Sequence, residues 1–301
     1  MISDSLKKLN KEVLELQRSR EYSLGRTIYQ GLATIRSFHF RHVRAFLEAR
    51  SRDRRIRSYH KQNENFFLNP PAVTEEKVRL AVYTCITGNY DVPLEPYYVD
   101  ENIDYYIITD MEISVESNWR KIDIHTLPIP AEMDMTRKAR YVKTHPHLLF
   151  PDYRYSVWVD GLILCVADLR EYIPYTGRTG IAAHWHPLRN CIYSEAKVCK
   201  IMGRDNGAMI NRQMRKYLSE GMPKEFGLIE SGFLLREHGK AECIGIMEEW
   251  WEQISQYSKR DQISLPYAIW KRGFTMKDIG FIGTNISNNY SFRVMTHPDH
   301  K

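Results

Sequence analysis

Residues 155–161, Tyr155-Ser156-Val157-Trp158-Val159-Asp160-Gly161, decide the fold. Four β-branched or aromatic residues in five positions make a run too short for a helix and too apolar for a loop, so it reads as a buried strand. The run stops on an acid and a glycine, a carboxylate followed by a residue that lets other backbone approach closely. Working outward, Val78 to Ile86 (VRLAVYTCI) is a second buried strand, ended by Thr87-Gly88-Asn89-Tyr90-Asp91. Tyr105 to Thr109 (YYIIT), closed by Asp110, is a third, and Lys121 to Leu127 a fourth. Between the last of these and Tyr155, residues Met135 to Phe150 read as a helix. Further helices are expected at Ser194–Met202, Ala208–Ser219, Ala241–Tyr257 and Gln262–Lys271, with a short strand at Ser231–Arg236. Strands alternating with helices predict an α/β domain with a mostly parallel sheet covered by helices. In such sheets ligands gather off the carboxyl ends of the strands. Thr87–Asp91, Asp110 and Asp160 all fall at such ends.

The 301 residues are 43% hydrophobic and 27% charged, which fits a folded protein and argues against wholesale disorder. No apolar run reaches the length of a membrane span. The first residues carry no signal-peptide core. Five cysteines without a C-x-x-C pair support neither a disulfide framework nor a thiolate zinc site. The expectation is a cytoplasmic protein.

Charge divides the chain. The net charge is +6, yet residues 1–66 hold 15 Lys and Arg against 7 Asp and Glu, which leaves the rest near −2. Ile2, Leu6, Leu9, Val13 and Leu16 step by four and three, the seam of a coiled coil. Leu24, Ile28, Leu32 and Ile35 continue as an arginine-rich amphipathic helix. Residues 1–66 are therefore read as a basic helical arm that packs or oligomerises as a coiled coil, or lies on an anionic membrane surface. Pro70-Pro71 places a linker at 67–76, and the main domain spans 77–301. Nucleic acid is discounted as a partner, because no zinc-finger spacing, no RNP motif and no basic patch beyond the arm is read.

Several side chains suit anionic-ligand chemistry. Asp160 can hold a metal–diphosphate or a ribose hydroxyl, or simply close a turn. Arg137, Arg140 and Lys143 recur at three-residue steps, so a helix displays them along one side, where they suit a phosphate-bearing ligand or a solvated face. His184 and His186 offer metal ligation, contact with a sugar or phosphate, or plain structure. Asp261 is equally an N-cap or a general base toward a hydroxyl. Glu230 opens the late strand. No P-loop, G-x-G-x-x-G, G-x-S-x-G or H-E-x-x-H motif occurs, which disfavours ATPase, dinucleotide redox, serine hydrolase and zincin chemistry.

Taken in order, VYTCITGNYD, YYIITD, RKARYVKTHPHLLFPDYRYSVWVDG, HPLRNCIYSEA, ESGFLLREH and DQISLPYAIWK resemble a glycosyltransferase-like family. Its members occur in plant cell-wall and mucilage biosynthesis and in bacterial capsule or O-antigen clusters. The resemblance covers roughly residues 78–275 and implies a GT-A, Rossmann-like fold. It implies that Thr87, Gly88, Tyr90 and Gly161 sit by the nucleotide of a sugar donor, with Asp110 near its base or ribose. Arg137, Arg140 and Lys143 would face the diphosphate. Glu230, Asp261 and Gln262 would meet the transferred sugar and the acceptor; His184 and His186 are placed beside them as sugar or acceptor contacts on the reading of the residues alone. Asp160 stands where GT-A enzymes begin a D-x-D metal motif, but the second aspartate is replaced by Leu162. A divalent ion, Mn2+ or Mg2+, would then need help from His184, His297 or the diphosphate itself. Otherwise Arg140 and Lys143 neutralise the leaving group alone.

The expectation is a glycosyltransferase of the hexosyltransferase kind. It would move a sugar from a nucleotide-sugar donor, a UDP-sugar, to a hydroxyl of a glycan acceptor, lipid-linked or free, in bacterial surface polysaccharide assembly. Its place would be the cytoplasm, peripheral at the inner membrane face. The missing aspartate motivates the alternative, a non-catalytic assembly module that recruits partners or membrane through its arm.

Overall fold

The structure is a computed structural model that describes residues 78–283 and 285–295. The arm at 1–66, the linker at 67–76 and His297 lie outside the described residues.

A seven-stranded sheet organises the chain. Its strands are β1 (Leu80–Cys85), β2 (Ile103–Thr109), β3 (Trp119–Asp123), β4 (Tyr155–Val159), β6 (Ile181–Trp185), β7 (Ile229–Arg236) and β8 (Gly280–Phe281), in the order β3-β2-β1-β4-β7-β6-β8. Every neighbouring pair is parallel except those made by β7, which runs antiparallel to both β4 and β6. A separate two-stranded ribbon joins β5 (Ile163–Cys165) to β9 (Phe292–Val294). Helices α1 (Met135–Thr144), α2 (Pro146–Leu149), α3 (Ile192–Ile201), α4 (Gly207–Ser219), α5 (Ala241–Gln256) and α6 (Asp261–Lys271) complete the domain. The expected α/β architecture, a mostly parallel sheet flanked by helices, is what the chain adopts.

β1 and β4 read as unbroken apolar runs because both their faces are covered. On one face Leu80, Val82, Val157, Val159, Phe233, Leu235, Tyr172 and Phe292 form the main core. On the other, Tyr83 and Trp158 are buried edge to face, with ring centroids 5.3 Å apart. Helices α1, α5 and α6 pack together, and α1 contacts β1 and α6 contacts β7. β1 pairs Tyr83 with Trp158 of β4 and Cys85 with Ile108 of β2. The carboxyl ends of all three strands therefore open on one edge of the sheet, where Thr87, Asp110 and Asp160 stand.

Three local expectations change. The helix over 135–150 breaks at His145, because Pro146 has no N–H to continue the ladder, and resumes only as the one-turn α2. β3 begins at Trp119, and Asp123 ends it by capping a 3-10 turn at Ile124–Thr126. The segment carrying His184, for which no strand is expected, is β6, whose residues Ile181–Trp185 are all buried.

Candidate active site

The site is built where α1, β4, β7 and α6 converge. α1 starts at Asp134, whose carboxylate accepts the Arg137 N–H at 3.1 Å, the N-cap pattern. Its last turn brings Lys143 beneath the end of β4. There the Lys143 side chain is only 1% exposed. Its ammonium lies 2.6 Å from Asp261 Oδ2 and 3.4 Å from Asp160 Oδ1. The indoles of Trp158 and Trp250 flank it, at 5.2 and 5.8 Å from their ring centroids. A buried ammonium is tolerable only because two carboxylates and two aromatic faces replace its water.

Asp160 and Asp261 divide the roles around that ammonium. Asp261, the first residue of α6, has a side chain 5% exposed that also accepts from Ser231 Oγ at 3.2 Å and lies 3.6 Å from Arg140 Nε. Burial pushes its carboxyl upward, but Arg140, Lys143 and Arg260 outweigh burial and hold it well below the usual carboxylate range. Asp160 keeps 45% of its side chain open to solvent. Its Oδ1 accepts the Trp158 indole N–H at 2.7 Å, and its backbone N–H donates to Gly232 at 2.8 Å. One aspartate is locked inside and the other is aimed out.

β7 shapes the mouth of the site. Its pairing with β6 jumps from Ala183↔Leu234 to His184↔Glu230, which leaves Ser231, Gly232 and Phe233 unmatched in β6. Such bulges re-aim side chains, and here Ser231 turns to Asp261. A Cβ at Gly232 would stand 3.3 Å from Asp160 Oδ2 and 3.2 Å from Ile163, so a side chain there would crowd the open carboxylate. Glu230 accepts the Ile286 N–H at 2.7 Å. Burial first, and the Asp160 charge in addition, raise its carboxyl to about 7, against the single lowering effect of that N–H.

The other rim follows β1 and β2. Gly88 has φ +64°, a conformation costly for any residue with a Cβ, and its N–H donates to both oxygens of the exposed Asp110, at 2.9 and 3.1 Å. Asp110 thereby ties the turn after β1 to the end of β2. Thr87 is half-buried and closes the turn by accepting from the Tyr90 N–H, while the Tyr90 side chain is 62% exposed. Gly161 lies under this rim, with Ile86 and Asp91 as its neighbours. Arg140 lies close enough to Cys85, at the end of β1, for its charge to be felt there; burial pushes that thiol up to about 12 and the guanidinium opposes it.

The structure brings Asp160, Lys143, Asp261 and Arg140 together, with Glu230 beside them. Gln262 follows Asp261 and donates from Nε2 to Ile229 at 3.2 Å. It does not bring in Arg137, His184 or His186. Arg137 points away and donates to the carbonyls of Ile254 and Tyr257 at 3.1 and 2.7 Å, binding α1 to the end of α5. Its placement among the diphosphate contacts is corrected, because carbonyls at a helix C-terminus already take its donors. Lys143 is corrected in part: it faces the site from behind and meets carboxylates. His184 is wholly buried between Phe233 and Phe292 with Nε2 3.0 Å from Asn289, and burial lowers its pKa to about 3. His186 is buried too, and its Nδ1 accepts the N–H groups of Leu188 and Arg189 at 3.1 and 3.0 Å. Both rings are turned into the fold.

Among the described residues Asp160 offers a divalent ion one open oxygen and no second protein ligand beside it. One oxygen already accepts from Trp158 and faces the Lys143 ammonium, and His184 is turned into the core. Among the described residues no group of three or more His, Cys, Asp or Glu side chains stands together to hold a metal.

Three contributors went unread in the sequence: Trp158, Ser231 and Arg236. Trp158 had a signal, since it stands two residues before Asp160 and so on the same side of the strand. The fully buried Arg236 of β7 donates to the Lys143 carbonyl at 2.5 Å and hydrogen-bonds the Tyr83 hydroxyl. It fixes the end of α1 that carries Lys143, and only the strand pairing reveals this.

A family model for the TOD1/MUCI70 glycosyltransferase-like domain matches residues 61–285. The probable hexosyltransferase MUCI70 of Arabidopsis thaliana is 27% identical over 195 residues, which cover 56% of this chain and 32% of that protein. The chain thus spans about a third of the length of that curated relative. Among solved structures, the bifunctional glycosyltransferase WbbM shares 13% identity at a TM-score of 0.44, over 71% of this chain and 40% of its own. The galactosyltransferase LgtC, solved with donor and acceptor sugar analogs, shares 14% at a TM-score of 0.37, over 67% and 72%. Likenesses that distant add nothing to what the sheet order already establishes. The family match, which takes in most of the chain, is decisive: the chain belongs to the TOD1/MUCI70 glycosyltransferase-like family.

Proposed function

We propose that this domain is a hexosyltransferase that moves a sugar from a nucleotide diphosphate, a UDP-sugar, to a hydroxyl of a glycan. The observation that carries the reading is the open carboxylate of Asp160 at the end of β4, held from behind by Trp158 and Lys143 and flanked by Arg140 and Glu230. The bond from the sugar C1 to the diphosphate breaks, and the acceptor oxygen forms the new bond to C1. The acceptor proton passes to the carboxylate of Glu230, whose pKa of about 7 suits a base at neutral pH. The diphosphate leaves toward Arg140, which neutralises its charge without a divalent ion. Asp160 orients the donor sugar through its open oxygen. Asp261 is too enclosed to meet an acceptor; its work is to hold Lys143. The rim of Thr87, Gly88, Tyr90, Asp110 and Gly161 is where the nucleotide lies, and Gln262 stands near the transferred sugar. Family membership supports sugar transfer, and the basic arm supports a setting in bacterial surface polysaccharide assembly.

UDP release measured with a panel of UDP-hexoses and a glycan acceptor, with Mn2+ or EDTA, tests the proposal. Turnover of at least one donor in EDTA is expected. If no donor is turned over or bound, the non-catalytic assembly module is the better reading.

A further inference from the structure

Beyond the site, the turn between α3 and α4 combines two properties that seldom coincide on a protein surface. Ile201 and Met202, at its tip, are 85% and 57% exposed. Gly203 follows at φ +61°, with open space around it. Between Ala196 and Ser219 the chain carries six Lys and Arg and a single Asp, although everything beyond residue 66 is net near −2. This overturns the expectation that no basic patch exists outside the arm.

The placement of those charges matters more than their number. Lys197 and Lys200 lie one turn apart on α3 beside Ile201, and the exposed Arg204 follows Gly203 just past the helix end. Lys200 donates to Asn211 at 2.6 Å, which sets the first turns of α4 alongside the end of α3. Arg212 and Arg215 continue the basic surface on α4, Arg212 lying over the Tyr257 ring. Lys216 turns elsewhere, to Tyr267 and Glu220. The lone acid, Asp205, turns inward and accepts from Ser258 Oγ at 2.6 Å and the Lys259 N–H at 2.9 Å.

We propose that this turn is a docking surface for an anionic lipid bilayer. An exposed apolar pair ringed by cations is matched by a leaflet whose phosphates meet the cations while its acyl boundary takes the apolar side chains. A nucleic acid would satisfy the cations and leave Ile201 and Met202 in water. The arm of this chain is itself cationic and does not complement the patch. Among the described residues no helix is long and apolar enough to cross a membrane, so this contact is peripheral. Asp205 ties the turn to the segment that enters α6 two residues before Asp261.

The full chain is mixed with vesicles of phosphatidylcholine containing about 30% phosphatidylserine, with pure phosphatidylcholine vesicles, or with duplex RNA, and amide hydrogen exchange is read over 197–215. Slower exchange with the anionic vesicles alone is expected. Binding should weaken at least about a hundredfold in the triple variant Lys197→Glu, Arg204→Glu and Arg215→Glu, since each cation lost near an anionic leaflet removes about fivefold and each new carboxylate is repelled. It should also weaken in Ile201→Asp with Met202→Asp, at an unchanged thermal midpoint. Vesicle binding without protection over 197–215, protection by RNA in place of vesicles, or wild-type binding by either variant would overturn the proposal. UDP-hexose turnover is read separately, so a failure here leaves the reaction proposed above intact, and the reverse holds too.

Discussion

Two of the clusters of ionisable side chains among the described residues differ in one respect. Around Lys143, Asp160 leaves 45% of a carboxylate side chain open. Around Glu195, every member is turned inward: Arg189 pairs with its carboxylate, His186 lies 3.7 Å away, and Cys199 donates to it at 3.5 Å. By composition the second cluster, with histidine, arginine, glutamate and cysteine, is the more suggestive. Its donors and acceptors satisfy one another and fasten the loop after β6 onto α3. The first holds charges in place but leaves an acceptor facing solvent. Residue types nominate a site; an open, pre-oriented group makes one.

The largest effect expected is on stability. Lys143→Met leaves Asp261 buried without its nearest cation and should cost about 3–5 kcal/mol in chemical denaturation. Glu230→Gln should lower kcat by about 100-fold or more at an unchanged thermal midpoint. In the wild type kcat/KM should rise with pH through about 7, and that limb should vanish in the variant. The same group links to folding: its pKa is about 7 folded against 4.5 as a free glutamate, so the folded chain keeps a proton that the unfolded chain has lost. Glu230 therefore costs stability as pH rises from 4.5 to 7, and Glu230→Gln should flatten that slope. In the closed cluster, Glu195→Gln should cost about 1–3 kcal/mol of stability and leave kcat within about twofold of wild type. His184→Phe, which replaces a buried neutral ring with an apolar one, should leave kcat unchanged. A hundredfold loss of kcat in either would erase the distinction between the clusters.

Much of this was legible in the sequence. Apolar strands stopping on Asp160 and Asp110, and the three-residue rhythm of Arg137, Arg140 and Lys143, follow from local periodicity. What stayed hidden depends on packing. Helical spacing puts Arg137 and Lys143 on one side of α1, but only the position of α5 decides that Arg137 meets carbonyls and Lys143 meets carboxylates. β6 was missed because its five residues, two of them alanine, carry a weak strand signature, and the burial of His184 and His186 went unread with it. The jump in register that turns Ser231 to Asp261 is a property of two strands and cannot be read from either.

The most direct test is kcat for UDP-hexose turnover in Asp160→Asn, a change that keeps the shape of the side chain and removes its charge. A fall of roughly 100-fold, with the thermal midpoint held, is the outcome expected of a carboxylate that orients the donor. Turnover at the wild-type rate would contradict the assignment of this site.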